Sequence, residues 1–456
     1  MPRHSTLTLL GLFLLAAGLR LYRLDQGFRY DEIFSLAFFQ APWRELLTRM
    51  PIPNHHPLYS LLAKCCWMIW GEKEWALRLP AFAFGSLTPP LLYLVGSRWI
   101  GPRAGLLAGL FFSLALWPVW YSQDARGYSA MIFFSLLATD QFLFLAGQPS
   151  RGRASVYLLA ATAAIYSHLY ASAVIGGHLL SGLFLTAQKA SRPTGWRLLL
   201  PATGALTLAG LLYAPMIPDF IAFLAGKGKQ LSQAHPLSLR FIAGMFLSWP
   251  AGAWHPGWTW LVVVLSWVGL ALVFTRRRIL AGNWLLSLLI GLLIPAVLGT
   301  FVLDRFFAYA LPGFFLFAAA GADFFLNRTG PGRWLGTLLL LATLTILASG
   351  LVNYYRFGKE ALLPAAQWIT QNAPGTRVLT VGMIGEVFQY YDPTAIRFGK
   401  GEKLTRAILH QTIVVIGYPS SVESWNWEVI ATYCRPVAIL PSGSGPGDEV
   451  SIYRCD

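Results

Sequence analysis

Apolar runs separated by short polar connections dominate roughly the first 350 residues of the chain. A membrane-spanning helix needs about 20 mostly apolar residues, and eleven runs come close to that length. They cover residues 6–24, 81–98, 104–120, 128–147, 155–170, 172–188, 198–214, 258–275, 281–302, 307–326 and 334–351. The pattern predicts a multi-pass α-helical membrane protein.

Two shorter apolar runs, residues 57–70 and 241–254, interrupt this series. Each is short for a bilayer span, so we expect juxtamembrane or re-entrant helices near a membrane surface. Because either run adds to the count if it crosses the bilayer, the pattern predicts 11 to 13 transmembrane helices.

The pattern changes near residue 352. From residue 360 onward, short β-branched runs such as "RVLTVGM", "TIVVIGY", "PVAILP" and "EVSIYRC" alternate with helix-like segments. This alternation is typical of an α/β domain. The sequence therefore predicts a membrane domain over residues 1–351, followed by a small α/β domain over residues 352–456.

Charge supports the membrane assignment and orients the chain. Only 12% of the 456 residues are charged, about half the fraction that is usual in soluble domains. The net charge of +15 therefore does not indicate a nucleic-acid partner, because many basic residues lie in short, acid-free loops between the apolar runs. These are Arg98, Arg103, Arg151, Arg153, Lys189, Arg192, Arg197, Arg276, Arg277, Arg278, Arg328 and Arg333.

By the positive-inside rule these loops face the cytoplasm. The loop 25–80 and the C-terminal domain then lie on the extracytoplasmic side of the inner (plasma) membrane. The same side receives most acids of the membrane domain: Asp25, Asp31, Glu32, Glu45, Glu72, Glu74, Asp124, Asp219 and Asp304. The polar chemistry of the protein is therefore expected at the outer membrane face.

Two adjacent carboxylates, Asp31 and Glu32, follow the first apolar run in "GFRYDEIFSLAFFQ". Acids at a helix N-terminus are often caps, which explains one of the two. The other interpretation is a general base or a metal ligand at the membrane boundary.

Further candidates lie at the outer ends of other apolar runs. His55 and His56 precede Pro57 and either start a helix or bind a metal or phosphate. The segment "WYSQDARGYSA" holds Asp124, Arg126 and Tyr128, which form a local ion-pair network or belong to a site, since polar groups there are costly unless used.

His168 in "YSHLYAS" bonds to the backbone or joins the same site. Arg305 in "LDRFFAYALPG" reaches lipid headgroups or binds phosphate oxygens with its guanidinium fork. In the C-terminal domain, Cys434 and Cys455 form a disulfide or remain two buried thiols.

The order of these motifs resembles a known family. "YDE", "HHPLY", "ALRLPAFAFG", "YSQDARGYS", "YSHLY" and "DRFFAYALPG" follow one another over roughly residues 5–330. This order is similar to that of the bacterial integral-membrane glycosyltransferases of the GT-C fold, relatives of the protein O-mannosyltransferases and the lipid A aminoarabinose transferase. The family often has His-Pro-Pro where this chain has His-His-Pro, and Arg-Tyr where it has Arg305-Phe306.

The resemblance implies an inverting transfer of a hexosyl or pentosyl group from a polyprenyl-phosphate donor to a lipid, glycan or protein acceptor. It implies that Asp31 is the general base, that Glu32 supports it or binds a metal, and that Asp124 orients a substrate. Donor phosphate or sugar contacts fall to Arg126, Arg305, His55, His56, His168 and Tyr128. No cofactor is certain; a divalent metal held by Asp31, Glu32 and His56 is the one candidate.

Three other functions stay open at this point: a transporter or flippase of lipid-linked sugars, another lipid-linked glycan ligase or polymerase, and a non-catalytic binding protein. Transporters place charges near the bilayer midplane within broken helices. The ionisable residues of this chain lie mainly at the outer ends of the apolar runs, which favours an enzyme.

Overall fold

The computed structural model describes residues 3–50, 55–228, 237–254, 256–399, 401–443 and 448–456. A helix lies at each of the eleven predicted spans. These helices are Arg3–Leu21, Glu74–Trp99, Pro102–Leu114 continued by Leu116–Ser122, Tyr128–Gly147, Arg151–Ser167, Ser172–Ala187, Arg192–Tyr213, Pro256–Arg276, Arg278–Leu298, Leu311–Leu326 and Pro331–Phe357. The prediction of a multi-pass helical membrane protein is confirmed.

Length and hydropathy separate these helices into two groups. Within the described ranges, eight helices are long and apolar enough to cross a membrane by themselves, and a ninth span results if the bent pair Pro102–Leu114 and Leu116–Ser122 is counted as one. The bend of 63° falls where Pro118 occupies the first turn of the second helix, a position that tolerates its missing N–H. The described apolar helix Thr6–Leu21 and the 17-residue helix Arg151–Ser167 are shorter.

Three short helices lie between helix Arg3–Leu21 and helix Glu74–Trp99. They are Tyr30–Gln40, Trp43–Thr48 and Pro57–Trp70. Later in the chain, Ile217–Phe223 and Leu239–Ser248 are also short, and a 3-10 turn at Gly252–Trp254 follows the latter. Both short apolar runs predicted to be helical therefore contain a helix.

Helix Leu311–Leu326 lies at the centre of the bundle, where most of its side chains are buried. Small residues let it approach Pro256–Arg276 closely: a Cβ added to Gly269 would lie 1.8 Å from the Phe317 carbonyl oxygen, and one added to Gly321 would lie 2.3 Å from that of Leu265. Backbone contact of this kind is common between membrane helices. The 3-10 turn Asp304–Ala310, which carries Arg305, leads directly into this central helix.

The C-terminal domain contains a five-stranded mixed sheet. Its strands are β1 (Arg377–Val381), β2 (Ile396–Phe398), β3 (Thr412–Gly417), β4 (Cys434–Leu440) and β5 (Val450–Cys455), in the spatial order β2-β1-β3-β5-β4. β1 is parallel to β2 and β3, and β5 is antiparallel to β3 and β4. Helix Leu362–Asn372 precedes β1, and helices Gly385–Phe388, Arg406–Leu409 and Ser424–Tyr433 connect successive strands up to β4.

The predicted α/β character of this domain is confirmed, because apolar cores cover both faces of the sheet. All six residues of the central strand β3 are buried. The short strand β2 escaped prediction, since two of its three residues are exposed. Cys434 stands opposite Cys455 in the β4–β5 register, and the two form a disulfide.

The domain packs on the segment that follows the first helix. The Tyr391 hydroxyl donates to the Phe28 carbonyl oxygen at 2.9 Å, and the ring of Tyr418 meets that of Tyr30 edge to face. Tyr30 belongs to the same apolar core as the first face of the sheet. The start of helix Tyr30–Gln40 is therefore enclosed between the two parts of the chain.

Candidate functional site

A dry cluster of charged side chains surrounds the start of helix Tyr30–Gln40. Arg29 occupies the N-cap position, and its backbone N–H donates to Glu32 Oε2 at 3.1 Å. Glu32 thus caps its own helix, which is the simpler of the two interpretations of this acid. Asp31 points elsewhere and pairs with arginines.

Glu32 also forms a fully buried ion pair with Arg78. The guanidinium donates through Nε to Oε1 and through Nη2 to Oε2, each at 2.8 Å. The backbone N–H of Ala125 adds a third bond at 2.7 Å. Burial by itself raises the pKa of Glu32, but Arg78 and the other donors outweigh burial and hold it well below its usual range.

Arg78 ties this pair to the chain that leaves the first helix. Its Nη1 donates to the Leu24 carbonyl oxygen at 2.8 Å, and its Nη2 to that of Gly27 at 3.0 Å. The guanidinium thus satisfies a carboxylate and a turn together. It fixes the entry into helix Tyr30–Gln40.

Arg29 connects the remaining acids. Its Nε donates to Asp124 Oδ1 at 3.1 Å, and its Nη2 donates to Asp31 Oδ2 at 2.8 Å and to Asp124 Oδ2 at 3.3 Å. Its Nη1 lies 3.5 Å from Glu360 Oε1. Lys359 adds a cation 3.8 Å from Asp124 and 3.6 Å from Glu32.

Asp31 is the meeting point of three arginines. Besides Arg29, Arg305 Nη1 lies 3.2 Å from Oδ2, and Arg126 Nη1 lies 3.5 Å from Oδ1. Burial would raise the pKa of Asp31, yet the charges of Arg305, Arg126 and Arg29 outweigh it and hold the pKa well below its usual range. Asp31 is therefore an ionised carboxylate that is only 7% exposed.

His56 is bonded on both ring nitrogens. Nδ1 donates to the Ser167 carbonyl oxygen at 2.9 Å, and Nε2 accepts from Arg126 Nη2 at 2.8 Å. Only a neutral imidazole fits this arrangement. Burial first, and the Arg126 charge second, lower the pKa of His56 well below its usual range.

Gly127 makes room for this contact. A Cβ at this position would lie 2.2 Å from the Ser167 carbonyl oxygen and 2.8 Å from His56 Nδ1. The glycine of "DARGY" therefore lets His56 reach Ser167. Tyr128, the next residue, accepts from Arg126 Nη2 at 3.4 Å.

His168 and His55 take different positions. The ring of His168 lies beside those of His56 and Phe306, with centroids 4.9 and 5.6 Å apart, so His168 lines the cluster. His55 instead stacks on Phe38 at 4.4 Å. Of the two adjacent histidines, the structure places His56 in the cluster and His55 outside it.

Most sequence candidates thus converge, but four charged members of the cluster were not among them: Arg29, Arg78, Lys359 and Glu360. Arg29 stands two positions before Asp31, and Arg78 is a cation near the start of an otherwise apolar stretch of helix Glu74–Trp99, which is a signal in its own right. Lys359 and Glu360 follow the last membrane helix and gave no such signal.

The ion pairs of the cluster join five cations and four carboxylates. Two of the arginines, Arg126 and Arg305, face the same carboxylate. Such an arrangement accepts an additional anion more readily than a cation.

A metal does not fit the residues predicted to hold it. Both oxygens of Glu32 already accept hydrogen bonds, and His56 uses both ring nitrogens. Across the described ranges, His, Cys, Asp and Glu side chains form no group of three or more that could hold a metal ion.

Solved structures resemble this chain across nearly its full length. ArnT from Cupriavidus metallidurans in the apo state matches with a TM-score of 0.55 at 14% identity, covering 97% of both chains. The same protein bound to undecaprenyl phosphate matches with a TM-score of 0.52, covering 99% of this chain and 98% of the other.

A third similar structure is the archaeal oligosaccharyltransferase AglB from Archaeoglobus fulgidus in complex with an inhibitory peptide and a dolichol-phosphate. It matches with a TM-score of 0.55 at 12% identity, over 95% of this chain and 73% of the other. These neighbours are glycosyltransferases of the GT-C fold, and the chain has that fold. No family model matches the sequence, and no curated protein matches it either.

Proposed function

We propose that the protein is a polyprenyl-phosphate-sugar-dependent glycosyltransferase that works with inversion at the extracytoplasmic membrane face. The observation that carries this proposal is the ionised, nearly buried Asp31 lying 3.2–3.5 Å from two arginines. The candidate base, Asp31, therefore lies directly beside two arginines that can bind an anion, Arg126 and Arg305. Neighbours of the same fold bind undecaprenyl phosphate or dolichol-phosphate, which supports a lipid-phosphate donor.

In this proposal, donor binding activates the base. Arg126 and Arg305 hold Asp31 when the site is empty and turn to the donor phosphate when it arrives. Each guanidinium that leaves Asp31 removes a positive charge from it, which raises its pKa and makes it a better proton acceptor. The low basicity of Asp31 without substrate then follows from the same arginines that hold the phosphate.

The chemical step is a single displacement. Asp31 accepts the proton of the acceptor hydroxyl while that oxygen forms a bond to the anomeric carbon. The bond between that carbon and the phosphate oxygen breaks on the opposite face, and its electron pair leaves with the lipid phosphate. Arg126 and Arg305 stabilise the charge that develops on the leaving phosphate, and the product has the inverted configuration.

The other predicted residues have supporting roles in this proposal. Asp124 orients Arg29, and Glu32 anchors the helix that carries Asp31. His56 orients Arg126 through Nε2, while His168 and Tyr128 line the site. The twelve basic residues of the polar loops support the orientation in the inner membrane, with the cluster outside.

Mass spectrometry of lipid-linked sugars and surface glycans, with and without the gene, tests this function. Loss of one glycan modification together with accumulation of its lipid-linked sugar is expected. A strain that produces the Asp31→Asn protein should show the same glycans and lipid-linked sugars as the deletion strain. A strain that produces the Asp140→Asn protein should show those of the wild type. Unchanged glycans in the deletion strain would refute the transferase, and full activity of Asp31→Asn would point to transport or binding.

A further inference from the structure

Besides Lys359, the C-terminal domain contributes a linked tyrosine and glutamate to the charged cluster. Glu360 Oε2 accepts from the backbone N–H of Tyr30 at 2.7 Å, and Glu360 Oε1 accepts from the Tyr418 hydroxyl. The same oxygen lies 3.5 Å from Arg29 Nη1. Glu360 thus contacts the helix that bears Asp31, the arginine that bonds Asp31, and the C-terminal domain.

The backbone of Tyr418 indicates that its side chain is needed there. Tyr418 lies at φ +55° and ψ +70°, in the left-handed region that favours glycine. A tyrosine at such a position is strained, and strain of this kind clusters at functional sites. Here the strained residue directs its hydroxyl to Glu360.

The support behind Tyr418 is rigid. The residue follows β3 directly, and β3 is the central, fully buried strand of the sheet. Its ring also packs edge to face on Tyr30, with centroids 5.9 Å apart. Because Tyr418 is the first residue after a core strand, its hydroxyl is more precisely positioned than one in the middle of a loop.

We propose that Glu360 and Tyr418 are positioning residues for Asp31, an inference that rests on the proposed glycosyl transfer. They fix Arg29 and the first turn of helix Tyr30–Gln40, so that the Asp31 carboxylate stays aimed at the acceptor hydroxyl. The C-terminal domain thereby completes the reaction centre of the membrane domain. Neither residue touches a substrate in this proposal.

The chain contains a matched control for this contact. The Tyr390 hydroxyl donates to Glu72 Oε1 at 2.8 Å, so a second tyrosine of the C-terminal domain bonds a glutamate, here one of the membrane domain. Glu72 also accepts from Gln40, at the far end of the same helix. This second pair holds the domain without contacting Arg29 or Asp31.

The experiment compares Glu360→Gln and Tyr418→Phe with Glu72→Gln and Tyr390→Phe in the full-length chain. Transfer is measured as product glycan in cells, and binding is measured with undecaprenyl phosphate on the purified protein. Transfer should fall roughly ten-fold or more in the first pair, since small misplacements of a catalytic group are costly. It should stay at the wild-type level in the second pair.

Binding separates positioning from general loosening. Glu360→Gln removes a negative charge beside Arg29, so undecaprenyl phosphate should bind equally well or more tightly while transfer falls. A parallel loss of binding and transfer would overturn the proposal, because it would show a collapsed site. Wild-type transfer in Glu360→Gln would overturn it as well.

Hydrogen exchange of the purified protein decides the inference even if the chain transfers no sugar. The amides of residues 30–34 should exchange faster in both variants. Glu360→Gln leaves one acceptor oxygen for the three donors that Glu360 serves, namely Tyr30, Tyr418 and Arg29, and Tyr418→Phe removes the hydroxyl that supports Glu360. These amides should exchange at the wild-type rate in the control pair. Equal exchange in all four variants would overturn the positioning role, whatever the fate of the proposed function.

Discussion

The two ends of helix Glu74–Trp99 carry charge in different ways. Arg78 and Arg98 are separated by 20 residues, which is about 30 Å along a helix and close to the thickness of a bilayer core. At the Arg98 end, one guanidinium meets both oxygens of Asp140 at 2.7 Å and remains 32% exposed. At the Arg78 end, five cations and four carboxylates are packed together, and all of them except Arg305 are nearly or fully buried.

The difference separates anchoring charge from charge that serves a site. Each pair at the opposite end is one-to-one. Arg98 is partly exposed while Asp140 is buried, and both members of Arg103–Asp323, 3.6 Å apart, are partly exposed, so neither pair buries more than one ion. Burying a dense cluster costs several kcal/mol per ion before pairing offsets it. Buried clusters of this kind concentrate at functional sites, and this is why we place the candidate site at the Arg78 end.

The strongest test of this contrast exchanges one aspartate at each end. Asp31→Asn should reduce transfer by about 10²–10⁴-fold, the usual contribution of a general base. Asp140→Asn should leave transfer unchanged. Product glycan in cells, normalised to the amount of protein in the membrane, measures both; equal losses in the two variants would remove the functional distinction between the ends.

The free energy of unfolding should be more sensitive to charge removal at the Arg78 end of the bundle than at the opposite end. Glu32→Ala leaves Arg78 buried without its carboxylate, so we expect a loss of about 3–5 kcal/mol. Arg103→Ala removes an arginine that is 55% exposed and pairs with an Asp323 that is 23% exposed, so it should cost about 1 kcal/mol or less. Unfolding of the purified protein in detergent measures both free energies.

A double variant checks the cause of that loss. Glu32→Leu combined with Arg78→Met removes both charges and should recover the part of the loss that comes from the unpaired Arg78 guanidinium. A double variant as unstable as Glu32→Ala would show that the loss comes from the backbone hydrogen bonds of the two side chains rather than from the unpaired charge.

Binding of the lipid phosphate should depend on only one end. Arg305→Ala removes a charged donor and should weaken undecaprenyl phosphate binding by about 10–100-fold, which corresponds to the 1.5–3 kcal/mol of a charged hydrogen bond. Arg103→Ala removes an arginine of the opposite end and should not change the affinity. Equal affinities of both variants would argue against Arg305 as a phosphate ligand.

The smallest effect expected concerns pH. Burial lowers the pKa of His55 to about 4, below its usual value near 6.5, so the unfolded chain takes up the proton first as pH falls. The stability linked to His55 is complete above about pH 6.5 and is lost toward pH 4, by about 2 kcal/mol between pH 7 and pH 5. In His55→Phe, the free energy of unfolding should therefore change less between pH 7 and pH 5, by about 2 kcal/mol. If the pH dependence is the same as in the wild type, other groups cause it.

Hydropathy predicted the helices well, because each span is defined by a continuous run of its own residues. The short helices Pro57–Trp70 and Leu239–Ser248 and four of the five strands were predicted for the same reason. The strand β2 escaped because a three-residue edge strand with two exposed positions has no pattern of its own. The alternating direction of the predicted spans also placed four candidate residues at one membrane face: Asp31, Asp124, Arg126 and Arg305.

The direction of the spans did not predict which charged side chains pair within the cluster. Glu32 meets Arg78, 46 positions away, and Arg29 meets Asp124, 95 positions away. Every charge of the cluster faces several opposite charges at similar depth, so sequence spacing cannot select its partner. The contribution of Glu360 depended on a domain whose position over the bundle was unknown.

The sequence by itself determined the membrane class, the helices, the α/β character of the C-terminal domain and the end of the bundle where acids gather. These properties are sums over local side-chain preferences for lipid, water or neighbours along the same segment. Only the tertiary structure decided that Glu32 is a cap and a buried ion pair, that Asp31 faces three arginines, and that His56 rather than His55 joins them. Those outcomes depend on distances of a few ångströms between segments that are far apart in the chain, and ion pairing in a dry interior is decided by such distances.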